Sequence, residues 1–411
     1  MNIESTRKSS WINVARLVCS MASIGALLSA PNARAVGFLL PNQDPEAIAR
    51  GDAFAATADN PSAIYYNPAG ITQIQGQNIR LGIYAISPDF KYTSPTGQKD
   101  RVDSNFQYVP QAYYTCSFTN VPISIGLGVY VPYGLSLDWG NNAPFNTVAE
   151  SGKLLYVSFN PVVAWHPIPS LSIAIGPTIN YSEAKFSQAL NPFIPGSLFH
   201  FTGNATGCGF NAGVLWQPHP MWSFGVNYRS PTTLDYSGTI STTPSPPYPA
   251  PGSANASINF PQYVTGGVSF RPTTNWNFEF DLEWTEWSVD KQLTFQDATL
   301  GNPSLTLDFR DSFIYDFGIT RQLGRGYFVS VGYIFAQNSS PDANFNPLIP
   351  DADLQLGSVG FGHHGLHWDW ALAYQFAYNG GRSVSNDASP QADGNYTTYN
   401  KAINLAVGYK F

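Results

Sequence analysis

The residues of this sequence best equipped for chemistry are its six histidines and a run of three closely spaced carboxylates. His363, His364 and His367 have the density of a metal site. Yet adjacent residues of a strand point to opposite faces, and no cysteine or acid completes a ligand set. His166 and His219, like His363 and His364, fall at or beside short turns, where a polar side chain needs no catalytic role. Glu279, Asp281 and Glu283 recur at every second position, so they share one face of one strand with no cleft that would divide them into acid and base. Neither a Gly-x-Ser-x-Gly elbow nor a phosphate-binding loop is present. No enzyme, metal site or cofactor is expected.

The elements that carry these residues point to a different solvent. Charged residues make up 11% of the chain and aromatics 15%, far from a typical soluble surface. The net charge of −7 argues against nucleic acid as a partner. Arg7, Lys8 and Arg16 precede an apolar run from Leu17 to Ala30, and Ala33-Arg34-Ala35 follows as a small-x-small site. This is the pattern of a secretory signal peptide over residues 1–35. The run is shorter than the about 20 residues a membrane helix needs. Val18 before Cys19 does not suit a lipoprotein. Cys116 and Cys208 fall on non-neighbouring strands, so no disulfide is expected.

Beyond residue 35 the periodicity is that of strands. Trp368, Trp370, Leu372, Tyr374, Phe376 and Tyr378 alternate with small or polar residues, and Ile403, Leu405, Val407, Tyr409 and Phe411 do the same. Trp276, Phe278, Phe280, Leu282 and Trp284 alternate with a set that includes the three acids. A barrel reconciles these faces, one toward lipid and one toward a wet lumen. Segments near 77–87, 104–119, 121–132, 154–166, 170–183, 204–218, 221–230, 258–271, 275–287, 305–321, 326–337, 353–362, 366–378 and 401–411 make 14 strands, joined by alternating short and long connections. That predicts an all-β fold: a 14-stranded antiparallel transmembrane barrel over 77–411 in the bacterial outer membrane, with both chain ends periplasmic. A terminal aromatic in this register suits recognition by the barrel-assembly machinery.

Residues 36–76 break the pattern. They are apolar, rich in small residues and punctuated by Asn60-Pro61-Ser62 and Tyr66-Asn67-Pro68-Ala69-Gly70. Asn before Pro is pushed out of the helical region and sets a tight turn. One reading is a periplasmic tail that merely leads into the barrel; but a free tail would be polar, and this composition favours burial, for which the lumen is the large cavity available. Gly37-Phe38, Ala49-Arg50-Gly51-Asp52-Ala53-Phe54-Ala55, Asn60-Pro61-Ser62-Ala63 and Tyr66-Asn67-Pro68-Ala69-Gly70 resemble the start of the FadL-type long-chain fatty acid transporter family. The likeness continues in Val129-Tyr130-Val131-Pro132-Tyr133-Gly134, Asn227-Tyr228-Arg229-Ser230, Asp281 to Ser288 and Gly408-Tyr409-Lys410-Phe411. The resemblance implies an N-terminal hatch with Asn67, Pro68, Ala69 and Gly70 as its gate, set against a kinked third strand. It also implies an apolar landing groove on the outer loops and sideways exit at the kink.

Candidates for each part can be named. Gly126, Gly128 and Pro132 mark the kink, although inward glycines equally make room for a plug. The apolar loop 184–203 offers Phe186, Leu190, Phe193, Ile194, Leu198, Phe199 and Phe201 as groove, or as a lid packed on itself. A carboxylate head resists burial unless paired, and Lys185, Arg229 and Arg310 are its candidate partners. Arg229 has a competing structural role against the acidic row Glu279, Asp281 and Glu283. The family tends to carry an arginine in the Pro-Asp segment after strand eleven, and Pro350-Asp351-Ala352-Asp353-Leu354 lacks one. The expected function is passive uptake of long-chain fatty acids or other hydrophobic compounds by a monomer seated in outer-membrane lipid. The alternative is an open diffusion porin for small polar solutes, to which the apolar segment 36–76 would be of no use.

Overall fold

A computed structural model describes residues 37–411 except 103–104, 192–193, 195, 246–247, 249, 297–301 and 386–387. The leader proposed for residues 1–35 lies outside the described residues, as does the groove candidate Phe193.

Among the described residues, fourteen strands close into an antiparallel barrel. They are β1 Gln77–Ser87, β2 Gln107–Ser117, β3 Ile123–Asp138, β4 Ser151–Ile168, β5 Leu171–Ala189 and β6 Leu198–His219. Next come β7, Trp222–Arg229 continued by Thr232–Thr243, and β8, Gly252–Phe260 continued by Tyr263–Thr273. The rest are β9 Trp276–Thr285, β10 Ser312–Gly324, β11 Tyr327–Ala336, β12 Leu354–His364, β13 Trp368–Tyr378 and β14 Gly394–Lys410. The breaks in β7 and β8 fall at Pro231 and Pro261, which have no N–H to give the ladder. β14 closes on β1 from Asn78↔Lys410 to Ser87↔Lys401, so no sheet edge is left at the chain ends.

The alternation sorts as membrane solvation demands. Trp368, Leu372, Tyr374, Phe376 and Tyr378 are exposed on the outside, while Ala371, Ala373 and Ala377 are buried inside. Leu81, Ile83, Ile403, Leu405 and Val407 repeat the exterior pattern across the closing seam. Apolar side chains turned outward on every wall fit a hydrocarbon solvent.

Strand bounds differ from the sequence reading on the outer side. β5 and β6 stay paired up to Ala189↔Leu198, so most of the expected loop 184–203 is a tall hairpin. Residues such as Phe186 and Phe201, which look like loop aromatics in the sequence, are directly paired across it. β10 starts at Ser312 because Ser304–Thr306 instead pairs with Gln292–Gln296 within the preceding connection. β12, where the alternation slips near Leu356, is held in one unbroken register by β11 and β13.

The N-terminal segment fills the lumen. It carries helix α1 Pro45–Ala49, helix α2 Ala63–Tyr66 and a 3₁₀ turn over Pro68–Gln73, and most of it is buried. Asp44 caps α1 by accepting the Glu46 N–H. Gly51 has φ +64°, and a Cβ there would meet the Tyr333 nitrogen at 2.7 Å, so the hatch backbone lies directly on β11.

Candidate functional site

Two ionic anchors hold the hatch. On β9 the row Glu279, Asp281 and Glu283 points inward, as its spacing requires, but into the hatch and not into water. Asp281 accepts the N–H groups of Phe54 and Ala55 at 2.8 and 2.7 Å. Glu279 accepts those of Ala56 and Thr57 at 2.8 and 3.1 Å, the Thr57 hydroxyl, and Arg50 at 3.0 Å. A tight turn leaves several N–H groups pointing one way, and buried carboxylates satisfy them. On the opposite side of the hatch, Arg80 of β1 meets Asp44 at 2.5 Å, Glu46 at 2.9 Å and Asp369 of β13 at 3.1 Å. His364 of β12 adds a 3.0 Å contact to Glu46. Within the hatch, burial pushes the Asp52 carboxyl up to about 7, against the pull of the Tyr66 hydroxyl bonded to it.

The Asn67-Pro68-Ala69-Gly70 motif is the floor of this assembly. The Asn67 amide donates to the Ala55 carbonyl at 2.7 Å and to Val214 of β6 at 3.0 Å, and its oxygen accepts the Ala69 N–H. Gly213 is required beside it, since a Cβ would run into the Asn67 oxygen. The motif therefore sits against β6, and the 3₁₀ turn it opens packs on β4, β5 and β6. The same turn also reaches β3, the strand against which the resemblance sets the motif. What meets β3 at its glycines is Ile64: a Cβ on Gly126 or Gly128 would approach it to 2.8 or 2.9 Å. Those two glycines make room for the hatch.

The kink lies higher on β3. β2 and β3 are paired from Ser117↔Ser124 only as far as Ala112↔Val129. Above that point β3 stays paired with β4, but its register shifts between Tyr130 and Tyr133, at Val131-Pro132. Its other edge parts from β2, and residues at the start of the hatch take up that edge. Leu39 bridges Tyr133, the Leu40 N–H reaches the Pro132 carbonyl at 2.8 Å, and the Gly134 N–H reaches the Phe38 carbonyl at 3.0 Å. The Gln43 amide donates to the Val131 carbonyl at 2.7 Å. Residues 37–43 thus replace the missing wall strand. Phe38 is packed among Tyr133, Phe260 and Trp287 with ring centroids 4.8–6.0 Å apart. The Gly37 N–H bonds Asp351, whose carboxyl burial raises to about 6 despite bonds from Ser339.

An apolar cavity of about 390 Å³ opens at this place. Leu39, Leu40, Val109, Leu135, Ile314 and Ile334 are among its walls, and it reaches both lips of the gap, Gln107–Val109 on β2 and Gly134–Leu137 on β3. A smaller outer groove of about 90 Å³ lies above it, lined by Phe186, Phe201, Leu293, Phe295, Leu305 and Leu348. Phe38, Leu135, Leu154 and Ile349 border both, so the two are neighbours across Phe38.

The groove candidates separate. Phe186 and Phe201 line the groove and Phe199 packs edge-on against Phe186 and Phe295. Leu190 packs against the same core, while Ile194 is exposed and Leu198 half-buried at the hairpin tip. Of the carboxylate partners, Lys185 belongs to the groove wall, and Arg310 is exposed and lines neither cavity. Arg229 is fully enclosed. It donates to the hydroxyls of Tyr263 and Tyr130 at 2.9 and 2.8 Å, and its guanidinium lies 5.3 Å from the Tyr65 ring. It ties β7, β8, the kink and the hatch through tyrosines and, among the described residues, makes no ion pair with the acidic row; Arg50 takes the place against Glu279. Cys116 and Cys208 are free. Gln43 and Arg80 have no part in the sequence reading, and Trp287 enters it only inside the Asp281 to Ser288 likeness. The clue for Arg80 is a lone cation on the inward face of its strand; Gln43 has no local signature, and Trp287 has only its place in that motif.

The model of one family, "Outer membrane protein transport protein (OMPP1/FadL/TodX)", matches residues 26–411. This chain belongs to that family. A FadL/TodX-type chain is an outer-membrane transport protein, and the barrel, plug and outward apolar belt described above are its fold. The chain is 22% identical over 420 residues to the long-chain fatty acid transport protein of Escherichia coli K12, covering 90% of this chain and 94% of that protein. Its structure resembles that of a FadL homologue from Pseudomonas aeruginosa with a TM-score of 0.80 and 18% identity, over 92% of this chain and all of that one. It also resembles the Pseudomonas putida toluene transporter TodX, with a TM-score of 0.74 and 15% identity, over 91% of this chain and 99% of that one.

Proposed function

We propose that this chain admits long-chain fatty acids or aromatic hydrocarbons through the outer groove, holds them in the 390 Å³ cavity and releases them sideways between β2 and β3. The observation that carries the reading is the parted seam above Ala112↔Val129, where, among the described residues, those at the start of the hatch take up the free edge of β3. An apolar ligand gains roughly 0.8 kcal/mol per methylene on entering such a cavity. Exit through the wall then delivers it to lipid without crossing water. The body of the hatch, anchored at Glu279, Asp281 and Arg80 and floored by Asn67-Pro68-Ala69-Gly70, stays in place. Residues 37–43 move. The same reading takes residues 1–35 as a cleaved leader and the barrel as a monomer inserted by the barrel-assembly machinery. The porin alternative finds no support, since the path a polar solute would take is filled by buried hatch.

The test is uptake of labelled palmitate and labelled toluene by cells lacking the gene, complemented with wild type or with Leu39→Cys/Tyr133→Cys in a Cys116→Ser/Cys208→Ser background. Wild type should restore uptake of at least one compound. The cysteine pair should restore it only under reducing conditions. Equal uptake with the pair oxidised or reduced would rule out movement of this segment. Uptake of neither compound would rule out the substrate class.

A further inference from the structure

The outer surface of β3 to β6 carries a charged feature at the rim of the outer groove. Lys153 of β4 and Lys185 of β5 are directly opposite each other in the ladder. Their sequence neighbours Gly152, Leu154 and Phe186 are buried and face inward, and both lysines are exposed, so they belong to the outward set. Both also border the outer groove, and Lys153 borders the larger cavity as well. Register extends the row on both flanks, with Ser136 of β3 opposite Lys153 and Thr202 of β6 opposite Lys185. The result is a hydroxyl, two ammonium groups and a hydroxyl side by side on four adjacent strands.

Like charges placed directly across a ladder repel. Among the described residues, the lysines found in ion pairs are Lys91, Lys291 and Lys410, and neither Lys153 nor Lys185 is one of them. Two acids are near. Glu183 lies one step lower on the same face and accepts the Tyr181 hydroxyl at 2.8 Å, and Asp138 lies one step higher and accepts the Gly140 N–H. Neither reaches a lysine within ion-pair distance. On β4 the next outward residues are apolar, Leu155, Phe159 and Val163, and on β5 they become so below Glu183, with Tyr181, Ile179 and Ile175, all exposed. The lysine pair therefore stands where the lipid-facing belt ends on the outer side. Lysine stems lie along such a belt and place their ammonium groups at headgroup depth.

We propose that Lys153 and Lys185, flanked by Ser136 and Thr202, bind the phosphate of an anionic lipid of the outer leaflet. Two cations and two hydroxyls suit a multiply charged phosphate oxygen cluster, and acyl chains below it have the exposed belt to lie on. The row ends at the parted edge of β3, so the bound lipid would stand beside the lateral opening.

The test uses the full mature protein in detergent, with bisphosphorylated lipid A and its dephosphorylated form as probes. Melting temperature is read for wild type, Lys153→Gln/Lys185→Gln, and the control Lys401→Gln, an exposed lysine elsewhere on the outer wall. The expected result is a rise with bisphosphorylated lipid A, absent with the dephosphorylated form, retained in the control and lost in the double variant. Without lipid the double variant should melt no lower than wild type, because it has lost only a repulsion. The same rise in the double variant, or none in wild type, would overturn the proposal. So would a lysine-dependent rise given by palmitate and not by lipid A, which would assign the pair to the ligand of the groove.

Discussion

Glu279 illustrates how one side chain can decide the state of the whole lumen. It satisfies two backbone N–H groups, a hydroxyl and Arg50 at once, all out of reach of solvent. Removing one partner of a buried pair leaves the other charged and unsolvated, at a cost of about 3–5 kcal/mol. Glu279→Ala should therefore lower the urea midpoint of the folded barrel and make the hatch accessible to protease, while Glu279→Gln should lose less. Asp351 supplies a pH dependence. Its folded-state value of about 6 lies above its ordinary 3.8, so between those limits the folded protein holds more protons than the unfolded one. Stability is then favoured at the acid end and falls as pH rises through that window. Melting curves of wild type should decline relative to Asp351→Asn as pH is raised across it, and parallel curves would dismiss the effect.

Among the elements, β3 is shaped by two different demands. Its lower half must let Ile64 in, and its upper half must leave β2. The first demand is tested by adding volume where there is none. Gly126→Val should cost about 1–3 kcal/mol through overpacking on Ile64 and lower the melting temperature. Ile64→Ala in the same chain should recover part of that loss; no recovery would mean that the glycine answers to the backbone of β3 and not to the hatch. The second demand rests on Gln43. Gln43→Ala strips the Val131 carbonyl of its side-chain donor, a buried group whose desolvation costs about 1–3 kcal/mol. Hydrogen exchange should then speed up over residues 37–43 and leave the Asn67 floor unchanged.

The whole molecule is a barrel whose inward faces are polar by pattern and packed against the hatch. The inward polar set of the strands, Asn160, Asn211, Glu279 and Asp281 among them, is buried against the hatch. Excising residues 37–74 should therefore expose a charged lumen to water. In planar bilayers the shortened protein is expected to conduct ions far better than wild type, and cells carrying it should lose selective uptake of hydrophobic compounds. Unchanged conductance would mean that the outer loops, and not the hatch, seal the barrel.

Much of this was legible in the chain because the membrane enforces a period of two. Trp368 to Tyr378 and Ile403 to Phe411 have one face in lipid, and no other solvent tolerates that face, so strand number and the short-long order of connections followed from alternation alone. The apolar make-up of residues 36–76 likewise announced burial. Partners across the lumen were not legible. That Arg229 meets three tyrosines while Arg50 meets Glu279, that Asn67 bonds Val214 of β6, and that Gln43 mends the edge of β3 all depend on contacts between residues far apart in sequence. Local pattern fixes which face a side chain is on. Which of many inward polar groups it meets is decided only when the barrel closes around the hatch and each buried donor must find an acceptor.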